Sequence, residues 1–140
     1  MNLFDRLHFP NLGLFLLRTM LAVVFLFHGS QKLFGAFGGY GLEATAQWMG
    51  SIGIPLPMLS ATLAALSETL GGVALLTGLC FRPVLIPLVF TMLVAAFVGH
   101  ADKGFTAQNG GMEYPLTLMV AVLALVLTGP GTIRLGSQPR

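Results

Sequence analysis

Four apolar stretches, each broken by only a few polar positions, divide the chain. The first runs from about Leu12 to Phe34 and is interrupted by Arg18, His28 and Lys32. Helical residues rise about 1.5 Å each, so it is long enough to cross a hydrocarbon core of about 30 Å. The glycine-rich loop 35–41 ends it. Leu42–Ser51, with Trp48 and the single acid Glu43, is too short to span and reads as an amphipathic turn or helix at the interface. Pro55 and Pro57 launch a second span, Leu59–Leu79, which carries Glu68 near its middle and small residues at Ala61, Ala65, Gly71, Gly72 and Ala74. Gly78 and the Arg82-Pro83 pair close it in a tight turn. A third span covers Val84–His100, with Pro87 near its start. After the loop 101–112 a fourth runs from Glu113 to Thr128 and stops at Gly129-Pro130-Gly131.

The pattern predicts an all-α fold: a four-transmembrane-helix antiparallel bundle with a short interfacial segment between helices 1 and 2. It occupies residues 1–140 as one integral membrane domain, with spans at 12–34, 59–79, 84–100 and 113–128. Composition agrees. Of 140 residues, 55% are hydrophobic and 9% charged, against about a quarter charged in soluble domains, and mean hydropathy is +0.84. In water so small a domain would expose large apolar patches, so lipid is the solvent that fits. Arg18 interrupts the early apolar run and no small-residue cleavage site follows, so the N-terminus reads as a retained span rather than a secretory signal.

Charge adds topology rather than a partner. The seven basic residues are scattered and form no nucleic-acid surface. Arg6, Arg82, Arg134 and Arg140 fall at one end of the bundle, while Lys103, with Lys32 near the end of its helix, falls at the other. The positive-inside rule puts both termini in the cytoplasm of a bacterial cytoplasmic (inner) membrane protein. Cys80 is the sole cysteine, so no intrachain disulfide or Cys-X-X-Cys pair can form.

Candidate chemistry lies in the ionisable residues that lipid would exclude. Helical spacing sets Arg18, Ala22, Phe25 and Lys32 on one stripe, with His28 beside it and Gln31 nearby. A carboxylate at the depth of Glu68 must be paired or protonated, because bare burial costs a few kcal/mol even on insertion scales. Antiparallel packing brings Glu68 within reach of Arg18 or of the His28 and Lys32 group, and Glu113 starts span four near the depth of His100 and Lys32. Arg18, His28, Gln31, Lys32, Glu68, His100 and Glu113 are therefore the candidates for ligand binding or proton exchange. The competing structural reading is that buried ion pairs only fix helix register.

Simpler readings hold elsewhere. Lys32 and Arg82 can snorkel to headgroups, Trp48 anchors at the interface, Phe25, Phe27 and Phe34 pack or face lipid, and Gly71 and Gly72 admit a neighbouring helix. His28 and His100 do not make a case for haem: their depths differ by about a turn and neither lies in a haem motif. No phosphate loop, zinc-ligand spacing or nucleophile–base pair is present in the sequence.

The run His28-Gly29-Ser30-Gln31-Lys32-Leu33-Phe34-Gly35, preceded by Arg18, resembles the first-helix signature of the DoxX family of small bacterial membrane proteins. Gly53-Ile54-Pro55, Glu68-Thr69-Leu70-Gly71-Gly72, Gly78, Arg82 and Glu113 follow in the matching order. The resemblance implies a four-helix membrane protein from a group named for membrane subunits of quinone-linked sulfur oxidation. Similar proteins are associated with thiol and oxidative-stress complexes or with resistance to quinones and catechols.

The leading expectation is a redox-associated subunit that binds a quinone or similar small aromatic. His28, Gln31 or Lys32 would supply hydrogen-bond donors and Glu68 would exchange a proton. Its partners would be the lipid bilayer, a separate redox protein and further copies of the chain. The alternatives are a non-catalytic scaffold or assembly subunit and a small transporter or proton path.

Overall fold

The computed structural model describes residues 9–136, so the Arg6 and Arg140 of the charge argument lie outside the described residues. Among these the fold is all helical: α1 (Pro10–Phe34), α2 (Gly41–Ser51), α3 (Pro57–Thr77), α4 (Phe81–Val94, prolonged by a π-helical turn Ala95–Gly99) and α5 (Glu113–Thr128). Short 3-10 turns fill the loops. Prolines start α1 and α3, where the missing N–H costs nothing. Left-handed glycines at Gly35 and Gly78 end the same two helices.

The bounds move in one informative place. Arg82-Pro83 does not form the turn before the third long helix but lies within the first turn of α4, because Leu79-Cys80 makes the reversal and Pro83 falls where the N–H has no intrahelical partner. Pro87 therefore lies deeper in its helix than the sequence suggests.

Three helices, Pro10–Phe34, Pro57–Thr77 and Phe81–Gly99, are long and apolar enough to cross a membrane. α5 is apolar but shorter, at 16 residues or about 24 Å. The long helices and α5 alternate in direction and share one core: Leu21, Ala22 and Phe25 of α1, Leu75 of α3, Phe81, Leu85, Leu88 and Met92 of α4, and Leu118, Val122 and Leu125 of α5. α2 lies across α3 through Ala46, Met49 and Ala61. Outward positions are Leu16, Met20, Val23, Leu70, Ile86, Val120 and Leu127, all exposed. This apolar exterior is stable against lipid and not against water.

Glycine sets how closely the helices approach. A Cβ on Gly72 would stand 2.7 Å from Leu26 Cγ and 3.1 Å from the Leu26 backbone nitrogen, and one on Gly71 would stand 2.6 Å from Leu88 Cδ2. The adjacent glycines thus serve two neighbours, α1 and α4. Gly29 gives α1 the same closeness to Thr69 of α3.

Arg18 is fully buried and pairs with no carboxylate among the described residues. Its Nε donates to Leu75 O (2.8 Å), Nη2 to Leu76 O (3.2 Å), and Nη1 to Pro130 O and Ile133 O (2.7 and 2.8 Å). The guanidinium lies 5.5 Å from the centre of the Phe81 ring. Carbonyls at a helix C-terminus have no intrahelical partner and carry partial negative charge, so a planar cation with a fork of donors satisfies several at once. The expected reach of Arg18 to Glu68 is corrected: Arg18 ties the end of α3 to the segment after α5. Leu135 N–H donates to Thr77 O, and Thr132 N–H to Asn11 Oδ1. Gly78 (φ +79°) leaves room for this, since its Cβ would come within 3.0 Å of Arg18 Nη2. Arg82 does likewise for α5, with Nε on Val126 O at 2.9 Å, instead of only snorkelling.

Two outcomes follow. Gly72→Leu should destabilise the protein by about 1–3 kcal/mol, read as a lower thermal midpoint in mild detergent, whereas Gly13→Ala, with nothing within 4 Å of the new methyl, should leave it unchanged or slightly raised. Arg18→Met should cost at least about 1–3 kcal/mol, the penalty of leaving buried acceptors unmet, and should expose the chain after residue 128 to limited proteolysis.

Candidate functional site

At the opposite end from Arg18, α1 and α3 each carry one charged group inward. Lys32 Nζ donates to both carboxylate oxygens of Glu68, at 2.8 and 3.0 Å. The Glu68 side chain is 4% exposed and that of Lys32 26%. Lys32 therefore turns into the bundle instead of snorkelling from it. A pair this dry must be complete, because removing either member strands the other charge.

Two cavities meet at this pair. The larger, about 720 Å³, lies between α3 and α4 under α2 and the 53–55 turn, with Trp48, Met49 and Ile54 above it and Leu63, Phe90 and Val98 along its sides. Its walls are mostly apolar. Its polar groups are Lys32, Glu68, Ser60, His100 and a Ser67–Thr91 hydroxyl pair 2.7 Å apart. The smaller, about 190 Å³, lies among α1, α4 and α5 and is lined by Phe25, His28, Met92, Tyr114, Pro115 and Leu118. Lys32, Glu68, Ala95 and His100 belong to both and form the partition.

A hydrogen bond at Nδ1 orients each imidazole. His100 Nδ1 is 2.7 Å from Ala95 O, a carbonyl that can only accept, so Nδ1 donates to it and Nε2 takes no part in that bond. The π-helical turn ends at this residue, a backbone irregularity common at functional sites. Gln31 Nε2 donates to Phe37 O (3.4 Å), which orients its amide so that Oε1 accepts from His28 Nδ1 at 3.1 Å. His28 Nε2 likewise takes no part in that bond. Its ring stands edge-on to Tyr114, centroids 6.3 Å apart.

Of the seven candidates, Lys32, Glu68, His28 and His100 are brought together around the cavities. Gln31 acts behind His28. Arg18 belongs to the other end. Glu113 lines neither cavity: its Oε2 accepts from the Ala107 N–H at 2.8 Å and holds the loop before α5. Sequence reasoning missed Ser67, Thr91 and Tyr114, whose signal was only polarity within apolar stretches. It read Trp48 as an anchor alone, although Trp48 also roofs the larger cavity beside His100, ring centroids 6.3 Å apart.

The DoxX family model matches residues 13–101, which hold the whole lining of the larger cavity and both members of the ion pair. Inner membrane protein YphA of Escherichia coli K12 is 29% identical over 127 residues, covering 87% of this chain and 86% of that protein. The Bacillus subtilis 168 protein named "Putative oxidoreductase CatD" is 32% identical over 119 residues, covering 85% and 81%. Inner membrane protein YqjF of E. coli K12 is 29% identical over 121 residues, covering 86% and 87%. No solved structure matches. With well over half its length matched, and with inner membrane proteins among its full-length relatives, the chain belongs to the DoxX family of membrane proteins.

Proposed function

We propose that the protein is a small membrane subunit of a redox system that binds a quinone or similar small aromatic in the larger cavity. One observation carries this reading: an apolar space of about 720 Å³ ends on a buried Lys32–Glu68 pair with His100 beside it. A quinone headgroup asks for such a slot, apolar over its ring and with one or two donors at its carbonyl oxygens. Lys32 supplies a cationic donor, and Ser67 and Thr91 supply hydroxyls. Ser67 Oγ, Thr91 Oγ1, Ala64 O and Pro87 O make three contacts with two hydroxyl protons, so the pair can turn one proton toward a ligand without stranding the other. The name of the B. subtilis relative supports redox chemistry, and the E. coli relatives support the inner membrane.

In this reading α5 is a fourth span that crosses with local thinning of the bilayer, the termini are cytoplasmic, and electrons come from a separate protein partner. Arg82 and Arg134 lie at the terminal end and Lys103 at the other, which supports that orientation. The full commitment of Arg18 to backbone carbonyls favours a second, scaffold reading for that end alone.

Quinone added at about a hundred times its dissociation constant should raise stability by about 2.7 kcal/mol, seen as a higher thermal midpoint of the detergent-solubilised protein. Ala64→Phe, which fills the cavity, should abolish the shift. No shift with any quinone, and none retained on purification, would end the proposal. Glu68→Gln should lower folding yield by stranding Lys32, at about 3–5 kcal/mol, and Lys32→Met with Glu68→Gln should restore the yield but not quinone binding. Restored binding in that double variant would deny the pair its place in the site.

A further inference from the structure

The smaller cavity has no part in holding the ligand, yet it gathers His28, His100, Lys32, Glu68 and Tyr114 into one space. We infer that it is a one-sided proton port: Glu68 gains and loses protons only from the loop end of the bundle, by way of His28 and His100, and the other end is closed. This deepens the ligand reading above, on which it rests only for what the proton finally serves.

The form of the cavity carries the argument. Its polar walls lie toward the loop end, where Tyr114 is 46% exposed and Lys32 is partly open. Its other walls are Phe25, Met92 and Leu118, members of the shared apolar core. Beyond them come Leu21, Leu88 and Val122, and beyond those Arg18, whose bonds among the described residues all go to backbone carbonyls. Apolar voids of molecular size stay dry, whereas about 190 Å³ beside five polar side chains has room for a short chain of waters. Water-borne protons can therefore reach the pair from the loop end and cannot continue past the apolar core to the Arg18 end.

The groups facing Glu68 are Lys32 and His28 from α1, His100 from the end of α4 and Tyr114 from α5. With Nδ1 fixed on Gln31 and Ala95, each imidazole takes a proton at Nε2 and releases it from the same atom. Transfer onto Glu68 turns its carboxylate into a neutral acid and leaves Lys32 the only full charge of the pair; release reverses both changes, and no electron moves. His100 borders both cavities, as the ion pair itself does, and so can pass the proton across the partition.

Three measurements without quinone test the port, so its failure is distinct from failure of ligand binding. In a Cys80→Ser background, Leu118→Cys at the blind end should react with a small charged thiol reagent, and Val122→Cys, one turn deeper, should not. Acidification should produce a protonated-carboxyl infrared band that Glu68→Gln removes. Leu118→Trp, which fills the port, should slow its appearance about a hundredfold, the scale of a positioned proton transfer, while lipid-facing Leu127→Trp should not. Liposomes carrying the protein should be no more permeable to protons than protein-free ones. An unreactive Leu118→Cys, a labelled Val122→Cys, an unslowed Leu118→Trp or a proton leak would each overturn the proposal.

Discussion

A carboxylate inside an apolar helix bundle is the constraint from which the rest of this structure follows. Glu68 is too deep for bulk water to solvate, and the cost of that position is met by one ammonium group, from Lys32, bonded to both its oxygens. The pair joins residues 36 positions apart, so it also sets the register of α1 against α3. That register works only because Gly29 and Gly72 let the two backbones come close. Ion pair and glycine contacts therefore specify the same arrangement from two directions.

The two ends of the bundle use cations differently. At the terminal end Arg18 and Arg82 serve helix C-termini, donating to carbonyls that the helices leave unmet. Guanidinium suits this task because its donors are several, planar and fixed. At the loop end a lysine faces a carboxylate, between two cavities and near two imidazoles held through Nδ1. At one end the two arginines bind backbone carbonyls, and at the other titratable side chains gather around the cavities. Architecture and candidate chemistry are thus separated along the helix axis.

The helices were legible because their pattern is strong: long apolar runs bounded by Pro and Gly, with small residues recurring where contacts are closest. The buried stripe of α1 through Arg18, Ala22 and Phe25 follows directly from helical spacing. Which base meets Glu68 was not legible, since periodicity gives a residue's face but not the rotation and offset between helices. Arg18 and Lys32 stand on one stripe; Arg18 was the favoured partner and Lys32 was read as snorkelling, and packing reverses the two. The return of residues 129–136 beneath α1 and α3 was hidden for a different reason, because the segment bonds through its own backbone groups, to Arg18, Asn11 and Thr77, and leaves no side-chain motif. Glu113 was misplaced because a first-turn acid can face either the bundle or the preceding loop, and the free Ala107 N–H decides for the loop.

The central claim is that a small aromatic ligand sits with its polar end at the Lys32–Glu68 pair. Photo-crosslinking with an azido-quinone, followed by mass-spectrometric mapping, tests it most directly. The account predicts adducts on Trp48, Ser67 and Thr91 that excess unlabelled quinone suppresses; adducts spread over the lipid-facing residues of α1 and α5, unaffected by competitor, would contradict it.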